Sequence, residues 1–242
     1  MDQDANMELI AAVRADLARL GDPARAAAMQ AYMKSATPFR GVRAPEQARA
    51  FRAVFAAHPL SGADAWRATA LALWRGASFR EERYAALALL GDHRYRGYRT
   101  LDMLPVYEEL IVTGAWWDLV DGVAIHCLGE LFARDPERMR AAMLAWSQDG
   151  DLWKRRAAIL SQCGRKAATD EALLYACIAP NLADRDFFFR KAIGWALREY
   201  AYSNPAAVRR FVNDHAGALS PLSQREALKH VGTLDSAPVD DL

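Results

Sequence analysis

"DLWKRRAAIL" at residues 151–160 recurs as "DFFFRKAIGW" at residues 186–195. Aligning Asp151 with Asp186 sets the offset at 35 residues (186 − 151), and both stretches carry a basic pair before small and apolar side chains. Repeats of this length are typical of stacked helix pairs, because one pair cannot bury its own apolar face. We therefore predict an all-α chain, an α-solenoid of HEAT-like helical repeats with a concave cleft.

The rest of the chain also favours helices. Alanine and leucine are frequent and β-branched residues are scarce, which disfavours strands. We expect about twelve helices of roughly 10–18 residues, forming a single HEAT-like repeat domain over residues 1–242. The longest irregular stretches are expected at 35–45 and 92–102. Three helix starts combine a capping side chain with a following proline: Asp22–Pro23, Asp135–Pro136 and Asn204–Pro205.

Composition excludes several classes of protein. The 242 residues are 52% hydrophobic, enough for a sizeable core. Lys and Arg number 31 against 30 Asp and Glu, so the net charge of +1 does not itself indicate a nucleic-acid partner. The three cysteines form no CxxC pair, so we expect reduced, buried thiols and no zinc site. A polar N-terminus and the lack of a long apolar run lead us to expect a cytoplasmic protein without metal or cofactor.

One charged residue falls at the equivalent position of each repeat: Arg83, Asp121, Arg156 and Lys191. Equivalent positions share a face of a solenoid, so these residues should form a row on the inner helices that line the concave surface. Residues three or four apart on a helix also share a face. Trp117 lies four before Asp121, and Trp195 lies four after Lys191. Arg198 follows Trp195 by three, so the row gains two indoles and another cation.

Cations beside aromatic rings suit nucleic acid, because they neutralise phosphates and stack on bases. The interleaved stretch "HRYRGYR" at 93–99 is a weak further indication, the alternative being a solvated loop. A carboxylate among cations would repel phosphate, but it suits a sugar that becomes cationic as an N-glycosidic bond breaks. The same anion can orient the attacking water. The ordinary alternatives are core tryptophans and a solvated aspartate.

Five segments carry a family resemblance: AYMK (31–34), WWDLVD (116–121), WKRRAAI (153–159), RKAIGWALREYA (190–201) and SPLSQREALKH (220–230). In their order and spacing they resemble the bacterial HEAT-like repeat DNA glycosylases of the AlkD family, which excise alkylated purines. The match spans nearly the whole chain and is weaker from 35 to 80. It implies that the concave cleft binds DNA.

The resemblance also implies roles for individual residues. Asp121 falls on the catalytic carboxylate, and Trp117 and Trp195 fall on the two active-site tryptophans. Arg156 falls on the arginine that holds the phosphate backbone near the lesion, and Tyr32 on an N-terminal tyrosine near the lesion. Further DNA contacts are expected from four cations: Arg198, Lys191, Arg83 and Arg190.

The activity that the resemblance implies is a monofunctional DNA glycosylase. Its substrates would be cationic alkylated purines in duplex DNA, such as 3-methyladenine and 7-methylguanine, with bulky N3 or N7 adducts also open. The base would stay stacked rather than flip, and a monomer would suffice. Two other hypotheses remain: a HEAT-repeat module that binds damaged or distorted DNA without catalysis, and a HEAT scaffold that binds proteins.

Overall fold

The computed structural model describes residues 4–231, and within them the regular structure is helical throughout, with no strand. This confirms the predicted all-α class. The fourteen α-helices of this range are α1 (Met7–Leu20), α2 (Pro23–Met33), α3 (Ala44–Ala57), α4 (Ala63–Arg75), α5 (Arg80–Leu90), α6 (Leu104–Gly114), α7 (Trp117–Gly122), α8 (Gly129–Leu131), α9 (Pro136–Trp146), α10 (Leu152–Leu160), α11 (Glu171–Ile178), α12 (Phe187–Ala201), α13 (Pro205–Asp214) and α14 (Pro221–Ala227).

Within the described residues, the chain divides into two compact units, one up to Arg99 and one from Thr100 onward. In the first, which holds α1–α5, Trp66 and Trp74 are fully buried, and the Trp66 indole donates a hydrogen bond to the carbonyl of Leu89. In the second, which holds α6–α14, Tyr107 and Phe189 are the largest fully buried side chains. The single domain over residues 1–242 stays a prediction.

The three predicted helix starts are confirmed. Asp22 accepts hydrogen bonds from the amides of the first turn of α2, and Asp135 and Asn204 do the same for α9 and α13. In each case proline occupies the first helical position, where no amide hydrogen is needed. All three cysteines are free and buried, as the composition predicts.

The 35-residue repeat is visible in the helix starts of the second unit. The residues that precede α7, α10 and α12 are Trp116, Asp151 and Asp186, spaced 35 apart. Asp149 accepts a hydrogen bond from the amide of Asp151, and Asp184 accepts one from the amide of Asp186. Because Asp121, Arg156 and Lys191 each lie five residues after these starts, their predicted equivalence has a structural basis.

The stretch 92–102, expected to be irregular, instead forms two short 3-10 helices, His93–Tyr98 and Leu101–Met103. The Tyr95 ring is buried, and its hydroxyl accepts a hydrogen bond from the amide of Leu60. The Tyr98 hydroxyl accepts one from the amide of Gly62. These tyrosines therefore pin the α3–α4 loop, and their place in "HRYRGYR" reflects packing within the first unit.

Candidate active site

Asp121 and Arg156 form a buried, two-fold hydrogen-bonded ion pair. Arg156 Nε donates to Asp121 Oδ1 at 2.7 Å, and Nη2 donates to Oδ2 at 2.8 Å. Only 7% of Asp121 and 3% of Arg156 is exposed. A parallel pair of this kind fixes the plane of the carboxylate as well as its position.

Three helices build this pair. Asp121 lies on α7, Arg156 lies on α10, and the remaining arginine nitrogen, Nη1, donates to the carbonyl of Phe188 on α12 at 2.6 Å. Directly after α7 the chain forms a π-helical turn, Val123–Leu128, before α8. Such turns are rare and often occur at functional sites, because the extra residue re-aims neighbouring side chains.

Burial is the main influence on the acidity of Asp121. It raises the pKa of this carboxyl above the ordinary value, because the charged form loses water. The hydrogen bonds and the positive charge of Arg156 act in the opposite direction, and the negative charge of Asp118 adds to the rise. Asp121 is thus held in a nearly dry place with a single cationic partner.

The two adjacent tryptophans have different surroundings. Trp116 packs in an aromatic cluster, with its ring centroid 6.1 Å from Trp153 and 5.4 Å from Phe188. Trp117 is half-buried and begins α7, one turn before Asp121. It therefore shares a helix face with the carboxylate, as the spacing predicts.

Lys191, Trp195 and Arg198 follow one another along α12, and each has a carboxylate partner. Glu226 on α14 binds both cations, with Oε1 2.8 Å from Lys191 Nζ and Oε2 2.6 Å from Arg198 Nη1. The half-buried Trp195 donates its indole N–H to Glu199 Oε1 at 3.1 Å. The predicted cation–indole face thus exists on α12, but its groups are already bonded within the protein.

The family model described as DNA alkylation repair enzyme matches residues 13–231. The chain belongs to this family. A solved structure described as a predicted DNA alkylation repair enzyme from Enterococcus faecalis is similar, with a TM-score of 0.79 and 28% sequence identity over 87% of this chain and 96% of that one. The search of curated proteins finds no match. Membership of the DNA alkylation repair family confirms the predicted resemblance and indicates a role in repairing alkylated DNA.

The remaining residues predicted to contact DNA differ in their burial and in their neighbours. Arg190 is half-buried, and its Nε has no hydrogen-bond partner among the described residues. In the first unit, Tyr32 on α2 is 80% exposed, the most exposed large apolar side chain of residues 4–231. Arg83 on α5 lies over Trp74, 5.0 Å from the ring centroid, and burial lowers the pKa of its guanidinium. Their roles stay predictions.

Sequence reasoning missed Glu199 and Glu226. Glu199 was detectable, because it lies four residues after Trp195 and so shares its helix face. Glu226 is 28 residues from Arg198 and belongs to a different helix, so no local pattern links them.

Within residues 4–231, no cluster of three or more His, Cys, Asp or Glu side chains is arranged to hold a metal ion. None of the helices in that range is long and apolar enough to cross a bilayer.

Proposed function

We propose that this protein is a monofunctional DNA glycosylase that hydrolyses the N-glycosidic bond of cationic alkylated purines in duplex DNA. The observation that carries the proposal is the buried Asp121 carboxylate, fixed by two hydrogen bonds from Arg156. Family membership supports alkylated DNA as the target. The substrates are 3-methyladenine, 7-methylguanine and, by the same chemistry, larger N3 or N7 adducts.

The reaction needs an anion beside the sugar. As the C1′–N bond breaks, its electron pair neutralises the cationic base, and positive charge develops on the sugar. A fixed carboxylate stabilises that charge most where water is scarce, and Asp121 lies in such a place. Water then forms the new C1′–O bond and loses its proton, for which Asp121 is the base. Since the base leaves neutral, no acid is required for it.

Arg156 orients Asp121 and leaves acceptor capacity free. A carboxylate has about four lone-pair positions and a guanidinium has five N–H donors. The pair uses two of each, and the carbonyl of Phe188 takes one more donor. The remaining acceptors are available to water or the sugar. We propose that the two remaining donors hold a backbone phosphate, which must approach closely because only 4% of the Arg156 side chain is exposed.

The aromatic and cationic side chains on the same helices complete the proposal. Trp117 and Trp195 offer π faces to a cationic base or sugar, an attraction of about 0.5–2 kcal/mol each. Three cations lie on α12, namely Lys191, Arg198 and Arg190. We propose that they contact the phosphates of the DNA backbone. No part of this arrangement requires the base to leave the stack, so we propose excision without base flipping, by a monomer.

The test uses mass spectrometry to measure the release of 7-methylguanine from a methylated duplex. Wild type should release the base, and Asp121→Asn should abolish release. Asp118→Asn is the matched control: it makes the same change three residues earlier on α7 and should retain release. Thermal melting of each variant, with assays well below the lowest midpoint, separates lost chemistry from lost fold. Full activity in Asp121→Asn would exclude Asp121 as the catalytic group.

The same assay separates the alternatives. A wild-type protein that binds DNA with strong salt dependence but releases no base would be a binding module. A protein without salt-dependent DNA affinity would be a scaffold for other proteins, because phosphate contacts make affinity fall steeply with salt.

A further inference from the structure

Glu226 on α14 is shared by two cations of α12. One carboxylate oxygen binds Lys191 and the other binds Arg198, at 2.8 and 2.6 Å. These cations lie seven residues apart, two helical turns, so a single side chain from another helix spans the face between them. The pKa of Glu226 is lowered, chiefly by its hydrogen bond with Lys191.

Close packing of α14 on α12 holds Glu226 in place. A β-carbon on Gly194 would lie 2.6 Å from Glu226 Cβ and 3.0 Å from the carbonyl oxygen of Ser223, so only glycine permits this approach. The Ser223 hydroxyl donates to the carbonyl of Arg190 at 2.9 Å. Because the two helices contact each other at Glu226 itself and one turn before it, at Ser223, its carboxylate has little freedom to leave the two cations.

The bonded cations keep capacity for an external anion. The Lys191 side chain is 40% exposed and uses one of its three N–H donors on Glu226. The Arg198 side chain is 21% exposed and uses one of its five N–H donors. Two positive charges and one negative charge leave a net charge of +1 on this trio, the amount that one phosphate neutralises.

We propose that Glu226 is a positioning residue that holds Lys191 and Arg198 together as one phosphate-binding site and limits their combined charge to that of a single cation. This rests on the proposed function, in which α12 meets the DNA backbone. Glu226 thereby lowers the affinity for undamaged DNA, from which the enzyme must dissociate in order to reach a lesion.

The charge count gives a measurable consequence. The logarithm of DNA affinity falls with the logarithm of salt concentration, with a slope of about 0.9 per phosphate neutralised on duplex DNA. Removing the negative charge of Glu226 frees a second cation for a second phosphate. The slope should then steepen by about 0.9, and affinity for unmodified duplex at low salt should rise.

The experiment measures binding to an unmodified duplex by fluorescence anisotropy at four or more salt concentrations. Glu226→Gln should show the steeper slope. Glu226→Asp, which keeps the charge, should stay near wild type. Glu137→Gln is the matched control, because it removes a carboxylate from an exposed position on α9 and should leave the slope unchanged. An unchanged or shallower slope in Glu226→Gln would overturn the proposal.

A second comparison starts from Lys191→Gln, in which Glu226 is intact. Lys191→Gln alone should flatten the slope, because Glu226 then neutralises Arg198. Adding Glu226→Gln should return the slope to the wild-type value, because Arg198 is left as the single free cation. A double variant with the slope of Lys191→Gln would refute the role of Glu226.

Binding to undamaged DNA requires no excision, so the two proposals fail separately. If wild type binds with salt dependence and releases 7-methylguanine while Glu226→Gln keeps the wild-type slope, only the role of Glu226 is lost. If wild type shows no salt-dependent DNA binding, both proposals are lost.

Discussion

Arg156 and Asp121, which the resemblance assigns to different parts of the DNA, are bound to each other by two hydrogen bonds in a nearly dry site. The residue expected to hold phosphate therefore also orients the carboxylate expected to act on the sugar. A buried charge left without its partner is costly, whereas the intact pair is close to neutral in free energy. Changes at either residue should thus affect folding as well as activity.

The first prediction concerns stability. Asp121→Leu and Arg156→Met should each lower the unfolding free energy by about 3–5 kcal/mol, because each removes every hydrogen-bonding atom of one partner and strands the other in a buried site. The double variant should cost clearly less than the sum of the two. Urea unfolding of all four proteins measures this coupling. The exposed Arg19–Asp16 pair is the control, and its coupling should be at most about 1 kcal/mol. If the losses of unfolding free energy at Asp121 and Arg156 were additive, the two residues would not stabilise each other as a buried pair.

The second prediction concerns pH. Asp121 must be ionised to stabilise a cationic sugar, and burial raises its pKa. The rate of excision should therefore fall, as pH is lowered, at values above the ordinary aspartate pKa of about 3.9. The same shift means that the folded state binds the Asp121 proton more tightly than the unfolded state does, so this group adds stability as pH falls and does not itself cause acid unfolding. The loss of rate should therefore occur while the protein is folded. Single-turnover rates of excision, corrected for spontaneous base loss, measure this pH dependence. If the rate falls only at or below a pH of about 3.9, Arg156 outweighs burial in setting the pKa of Asp121.

The third prediction concerns the orientation of Trp195. Glu199→Leu removes the acceptor of its indole N–H, a bond worth about 0.5–1.5 kcal/mol. Excision should fall by a few-fold to about tenfold, while affinity for unmodified duplex changes little. Glu199→Gln keeps an acceptor oxygen and should retain most of the rate. If both variants lose the same activity, the negative charge of Glu199 matters rather than its hydrogen bond.

Local patterns predicted the helix starts because their causes are local. Asp22, Asp135 and Asn204 satisfy amides within three residues of themselves, and the following proline needs no partner. The 35-residue repeat was also readable, since equivalent helices begin at equivalent residues. The stretch at 92–102 was misjudged because Tyr95 and Tyr98 bond to amides more than 30 residues away.

The sequence by itself determined the all-α class, the repeat period and the family, and it placed Asp121 and Arg156 at equivalent positions. Only the tertiary structure decided that these two side chains bind each other and that Glu226 forms ion pairs with both Lys191 and Arg198. The physical reason is that periodicity fixes which face of a helix a side chain lies on, whereas its partner depends on how closely two helices pack. On α12 that distance is set by Gly194, whose missing side chain lets α14 bring a carboxylate to both cations.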